Sequence, residues 1–192
     1  MDKKELKALL RLEKEQYLKY TFPTTKRYFF SWIKNEPLRT IIKWQKFSRL
    51  ADFYHKKVKR GSRYSILPYL YYVRRRNNIA YKLSIEISTE NIGKGLLLFH
   101  SGAIVVNEKA IIGDFCKLHG NNCIGNNGSP GGKCPVIGNN VSIGVGAKVI
   151  GDVSIADNII IGAGAVVVDS FTEAGVVIAG VPAKVIKNRD NL

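Results

Sequence analysis

The sequence predicts an α+β chain in two parts: a short, basic, aromatic-rich helical segment over residues 1–82, then a parallel β-helix with one extruded loop over residues 83–192. Three observations carry that prediction. Lys and Arg outnumber Asp and Glu by 30 to 15, yet residues 1–82 hold 22 basic and 6 acidic side chains while residues 83–192 hold 8 and 9. The net charge of +15 therefore belongs to the first part alone. Apolar residues recur at helical spacing up to about residue 83, and a six-residue period replaces that spacing beyond it. Finally, 45% of the residues are apolar, which excludes a wholly disordered chain.

In the first part, residues 2–19 set Leu6, Leu9, Leu10 and Leu12 among charges, with Asp2 and Glu5 in the first turn where the helix dipole favours acids. Pro23 and Pro37 punctuate the next stretch. From Pro37 to Arg60, Leu38, Ile41, Ile42, Trp44, Phe47, Leu50, Phe53 and Tyr54 recur every three or four positions and predict a second helix. Residues 66–83 predict a third, carrying Tyr69, Leu70, Tyr72 and Val73 beside Arg74, Arg75 and Arg76. Such a segment is either a helical cap with core aromatics and solvated charges, or a surface for anionic lipid, anionic glycan or nucleic acid. No nucleic-acid motif accompanies the charge. His55 reads as structural.

In the second part, steps of six from Val106 reach Ile112, Leu118 and Ile124. After an interruption they reach Ile137, Ile143, Val149, Ile155, Ile161 and Val167, so every position is aliphatic. Four residues after eight of these ten aliphatics stand Ala110, Cys116, Asn122, Val141, Ala147, Val153, Ile159 and Ala165. Gly113, Gly125, Gly138, Gly144 and Gly162 follow directly after core positions. A helix has no period of six and a plain strand alternates at two. Flat sides of six residues, three to a turn, give a triangular coil whose aliphatics stack along one axis. Its hexapeptide form winds left-handed, an exception to the right-handed crossover rule.

The period breaks twice. Leu98 to Val106 spans eight residues, the surplus lying at Phe99, His100, Ser101 and Gly102. Ile124 to Ile137 spans thirteen, one more than two full steps, through a Gly-, Asn- and Pro-rich stretch that reads as an extruded loop. Regular stacks bury their side chains, so chemistry is expected at these breaks. Three cysteines, Cys116, Cys123 and Cys134, are an odd number, and a charged start with no apolar run behind it lacks a secretory signature. A cytoplasmic setting is expected, at the inner face of a membrane if the basic segment binds lipid. No uncharged apolar run approaches the roughly 18 residues of a spanning helix.

The run IGKGLLLFHSGAIVVNEKAIIGDF, the coils after Ile137 and GVPAKVI at 180–186 resemble the hexapeptide-repeat acyltransferases, and more narrowly their serine-acetyltransferase-like branch. The resemblance implies acyl transfer from acetyl-CoA without a metal, in a homotrimer that shares active sites across its threefold interfaces. A hydroxyl needs a base to attack a thioester, and the resemblance puts that base at His100. Glu86, in Ile85-Glu86-Ile87, matches the acidic partner that would fix the imidazole, with an exposed strand glutamate as the alternative. His119, Asn121 and Lys133 are carried over as acceptor contacts, with a plain surface histidine as the alternative for His119. Val145, Gly146, Ala163 and Val168 would flank the pantetheine arm, and Lys184 and Lys187 would approach the CoA phosphates. A carbonic-anhydrase-like coil would need three zinc-binding histidines, but only His100 and His119 lie in this region. Cys116 falls in an inward phase and reads as core; Cys134 reads as incidental.

Departures from serine acetyltransferases bear on the acceptor. Those enzymes have an aspartate before the base, where this chain has Phe99, and an Arg-His pair where it has Lys133-Cys134. Their long acidic helical domain is replaced by a short basic one. This combination resembles the surface-polysaccharide branch, implying a carbohydrate hydroxyl acceptor, anionic or lipid-linked. The alternatives are serine O-acetylation and a non-catalytic trimeric scaffold that binds anions.

Overall fold

A computed structural model describes residues 1–21, 29–31, 33, 34 and 36–189. Pro23 lies outside the described residues. The chain divides into two compact units, Met1–Leu83 and Ser84–Leu192.

The first unit contains helices α1 (Lys3–Thr21), α2 (Pro37–Lys59) and α3 (Ile66–Leu83). A reciprocal capping box starts α1: the Glu5 amide donates to Asp2 Oδ1 at 2.8 Å and the Asp2 amide to Glu5 Oε2 at 2.6 Å. Pro37 opens α2, where its missing N–H costs nothing. Trp44, Ile41, Ala51 and Phe53 of α2 are buried, as are Leu6 and Tyr17 of α1. The buried faces are not purely apolar. Arg49 donates from Nε at 3.0 Å and Nη2 at 2.7 Å to Glu13 Oε1, with both side chains almost wholly enclosed. Tyr72 of α3 stacks on Tyr54 of α2, and Tyr69 on His55. Burial is the main cause that pushes the Tyr72 phenol up, followed by Tyr54 and Tyr71.

The second unit is the expected triangular coil, a left-handed parallel β-helix. One flat side stacks Ile85–Ile87 (β1), Ile104–Val106 (β3), Cys123–Gly125 (β6), Lys148–Ile150 (β9) and Val166–Val167 (β12) in parallel. A second side stacks Ile111–Ile112 (β4), Val136–Ile137 (β7) and Ser154–Ile155 (β10). The third stacks Leu97–Leu98 (β2), Lys117–Leu118 (β5), Ser142–Ile143 (β8), Ile160–Ile161 (β11) and Val176–Gly180 (β13). Ala183–Asn188 (β14) folds back antiparallel on β13.

All ten period-six aliphatics from Val106 to Val167 are buried, as are all eight residues of the second inward phase. Each large aliphatic so enclosed stabilises the coil by roughly 1.5–3 kcal/mol relative to exposure. Asn122 belongs to that buried set although it is polar. Its Oδ1 accepts the Gly120 amide at 3.0 Å, and its Nδ2 donates to the Gly144 carbonyl at 2.8 Å and the Ala147 carbonyl at 3.3 Å. It thus ties two coils together with its polar atoms satisfied.

The two breaks behave differently. At the first, Leu97 pairs with Lys117, twenty positions on, so one turn is lengthened by two residues at the corner holding Phe99–Gly102. At the second, the expected count needs correction: Cys123 pairs with Lys148 and Lys117 with Ser142, both twenty-five positions on. Ile124 and Ile137 stand on successive sides, so the interval is one ordinary step with seven residues inserted. Periodicity alone could not separate this from two steps plus one. Cys134 stands at the loop's base and is buried. Cys116 is also buried; its thiol contacts the Gly138 carbonyl at 3.1 Å and is pushed up to about 11, chiefly by burial.

Candidate active site

Coil register gathers most of the predicted residues along one corner, between the third flat side and the first. The Phe99 amide donates to the Leu118 carbonyl, the His119 amide to the Ile143 carbonyl and the Gly144 amide to the Ile161 carbonyl. Continued past the strands, this register layers His100 over Gly120, Gly120 over Val145 and Val145 over Ala163. The Gly146 amide donates to the Gly120 carbonyl at 2.9 Å and the Gly164 amide to the Val145 carbonyl at 2.8 Å. His100, His119, Asn121, Val145, Gly146 and Ala163 therefore share one edge.

The edge is built for close approach. A Cβ at Gly120, whose φ is +110°, would lie 3.2 Å from the Cβ of His100. A Cβ at Gly144 would lie 2.6 Å from the Ala163 amide nitrogen, so neighbouring coils meet there backbone to backbone. His100 is exposed on the lengthened corner. His119 is half-buried, its ring stacked on Phe99 with centroids 4.6 Å apart and planes 11° apart. His119 Nε2 lies 3.2 Å from Ser142 Oγ, and either atom can donate. Burial first, then His100 and Lys117, hold the His119 ring below the usual histidine range. At neutral pH it is an uncharged imidazole against an aromatic ring.

The remaining predicted residues stand elsewhere. Glu86 lies exposed on β1 opposite Val105, and no hydrogen bond joins it to His100. Lys133, in the inserted loop at a different corner, pairs with Asp152 at 2.8 Å. That contact and the charge of Asp152 hold its ammonium above the usual lysine range. Val168 is exposed just past β12; Lys184 and Lys187 are exposed on β14. In one chain no hydrogen bond or ion pair joins Glu86, Lys133 or the β14 lysines to His100. Among the described residues, no group of three His, Cys, Asp or Glu side chains converges to hold a metal.

Two contributors were not singled out from sequence. Asn122 had a signal, as the one polar residue in an inward phase. Ser142, which meets His119, had none: it is an ordinary outward residue beside the core position Ile143.

A parallel coil with one imidazole at its first irregularity and a second one layer on defines a class of fold and site, and the comparisons agree on that class. No family model matches the chain. Over 65 residues, 33% of this chain and 27% of the relative, it is 38% identical to a serine acetyltransferase of Synechococcus elongatus. Over 64 residues, 33% of this chain and 40% of the relative, it is 35% identical to a putative colanic acid biosynthesis acetyltransferase, WcaB, of Escherichia coli. The chain spans well under half the length of these curated relatives. Among solved structures, a serine acetyltransferase of Brucella abortus in complex with coenzyme A superposes with a TM-score of 0.73 at 26% identity, covering 97% of this chain and 69% of that one. The likeness to hexapeptide-repeat acyltransferases therefore holds in both sequence and fold.

Proposed function

We propose that the chain is an acetyl-CoA-dependent O-acetyltransferase with His100 as general base. The observation that carries this reading is His100's position: exposed on the corner lengthened by two residues, one layer from the neutral His119. The imidazole takes the acceptor's hydroxyl proton as that oxygen attacks the thioester carbonyl. A C–O bond forms, the C–S bond breaks, and the proton passes from His100 to the leaving sulfur. The developing oxyanion would be held by amides of this edge other than those of Gly120 and Gly146, which already donate to Asn122 and to the Gly120 carbonyl.

Glu86 stands on the flat side that borders this corner, while Lys133, on the loop at another corner, would meet the edge from a neighbouring copy. Ile111 and Val136, paired across β4 and β7, are 49% and 46% exposed, and Val105, Val145 and Val168 are also exposed. Such apolar sides suit a threefold assembly in which one copy's loop faces another's corner. In that assembly Val145, Gly146, Ala163 and Val168 flank the pantetheine arm, and Lys184 and Lys187 meet the phosphates.

Two acceptors have support of different kinds. The relatives' names favour serine, and do so more directly than they favour a sugar. The site chemistry favours a carbohydrate hydroxyl: Phe99 stacked on neutral His119 offers an apolar plate where an amino acid would need a charge, and the WcaB likeness points the same way. CoA release with acetyl-CoA and either L-serine or an acidic polysaccharide decides between them. Robust turnover with serine alone establishes the serine reading; turnover only with polysaccharide establishes the other.

A further inference from the structure

We propose that the outer face of α3 docks on an anionic phospholipid surface. The helix has two sharply different faces. Tyr69, Tyr72, Val73, Arg76, Ile79 and Ala80 are half-buried, and the rings of Tyr69 and Tyr72 stack on α2. The opposite face carries Leu67, Leu70, Tyr71, Arg74, Asn78 and Tyr81, which fall within a stripe about 100° wide at 3.6 residues per turn.

On a water-facing helix that stripe should be polar. Instead Leu67 is 78% exposed, Tyr81 88%, and Leu70 and Tyr71 both 55%; Tyr64, just before the helix, is 96% exposed. The stripe runs about 21 Å from Leu67 to Tyr81.

Charge selects the partner. Residues 53–85 contain nine Lys or Arg and no Asp or Glu. Arg60, Arg63 and Arg74 have no acidic partner among the described residues. Two leucines that can enter the acyl boundary, tyrosines that prefer the headgroup level and uncompensated arginines match an anionic bilayer surface. A nucleic acid would use the arginines and leave Leu67 and Leu70 in water. No described helix is long and apolar enough to cross a membrane, so the contact lies in the interface plane. The inference does not depend on acyl transfer.

The test is flotation of the full chain with vesicles of phosphatidylglycerol and phosphatidylcholine, against phosphatidylcholine alone. Binding to the anionic vesicles is expected to be stronger by at least about tenfold, and to weaken as salt is raised. Leu67→Ser with Tyr71→Ser should lower it about tenfold, and Arg74→Gln by less, with unchanged circular dichroism. Tyr81→Ser, at the far end of the stripe, gives a second reading of the same face. Equal binding to both vesicles, or flotation indifferent to these variants, overturns the proposal. So does a fall in assembly mass by light scattering in the variants, which would give the face to a second copy of the chain. Retention of a duplex oligonucleotide without vesicle binding overturns it in favour of nucleic acid.

Discussion

The two units bury polar groups in opposite ways. The coil encloses Asn122, a neutral side chain whose donors and acceptor are met by backbone of its own and the next coil. The helical unit encloses the Glu13–Arg49 ion pair, and Glu13 Oε2 and Trp44 Nε1 have no hydrogen-bond partner among the described residues. A repeating coil offers carbonyls and amides at fixed intervals, so a buried polar residue finds partners wherever it falls. Helices consume most of their own backbone groups, so a charged residue buried between them must bring its own partner. The coil should therefore fail through packing and the helical unit through uncompensated charge.

Leu118→Ala tests the packing side with the largest effect. Leu118 is fully buried between Leu98 and Ile143 in the stack, and coils locked by ladders on both sides cannot collapse into the space. A loss of about 4 kcal/mol is expected in denaturant unfolding. Glu13→Ala should cost about 3 kcal/mol by stranding a buried guanidinium, and Glu13→Leu with Arg49→Met should recover most of it. Recovery failing in the double variant would mean the pair's geometry matters more than its charge. Asn122→Ala should cost about 2 kcal/mol and loosen the turn beneath His100. His119 supplies a pH test. Its folded pKa is depressed below 6.5, so the associated stability is complete above that value and is lost as pH falls through the folded pKa. His119→Asn should flatten that part of the stability profile. Lys133→Ala, at a fully exposed ion pair, should leave the unfolding midpoint unchanged.

How much of this was legible in the sequence follows the same contrast. The coil was legible because core contacts repeat in chain order: Val106 to Val167 could be read off in steps of six. The loop's register was not, since thirteen residues divide equally well as one long step or two short ones. His100 and His119 came from the break and from resemblance, but the Phe99–His119 stack needed the coil spacing. Buried Glu13 was invisible, since an acid among Arg11, Lys14 and Glu15 on an amphipathic helix looks solvated until its partner on α2 is placed. The outer face of α3 was half legible: the sequence left its leucines and tyrosines open between core and an anion-binding surface until the helix was seen packing its other side on α2.

The central claim is that His100 removes the acceptor proton. CoA release should be followed for wild type and His100→Ala with whichever acceptor supports turnover, alongside acetyl-CoA binding by calorimetry. The account predicts a fall in turnover of about 10²–10⁴-fold with donor binding retained. Wild-type turnover in His100→Ala would contradict it.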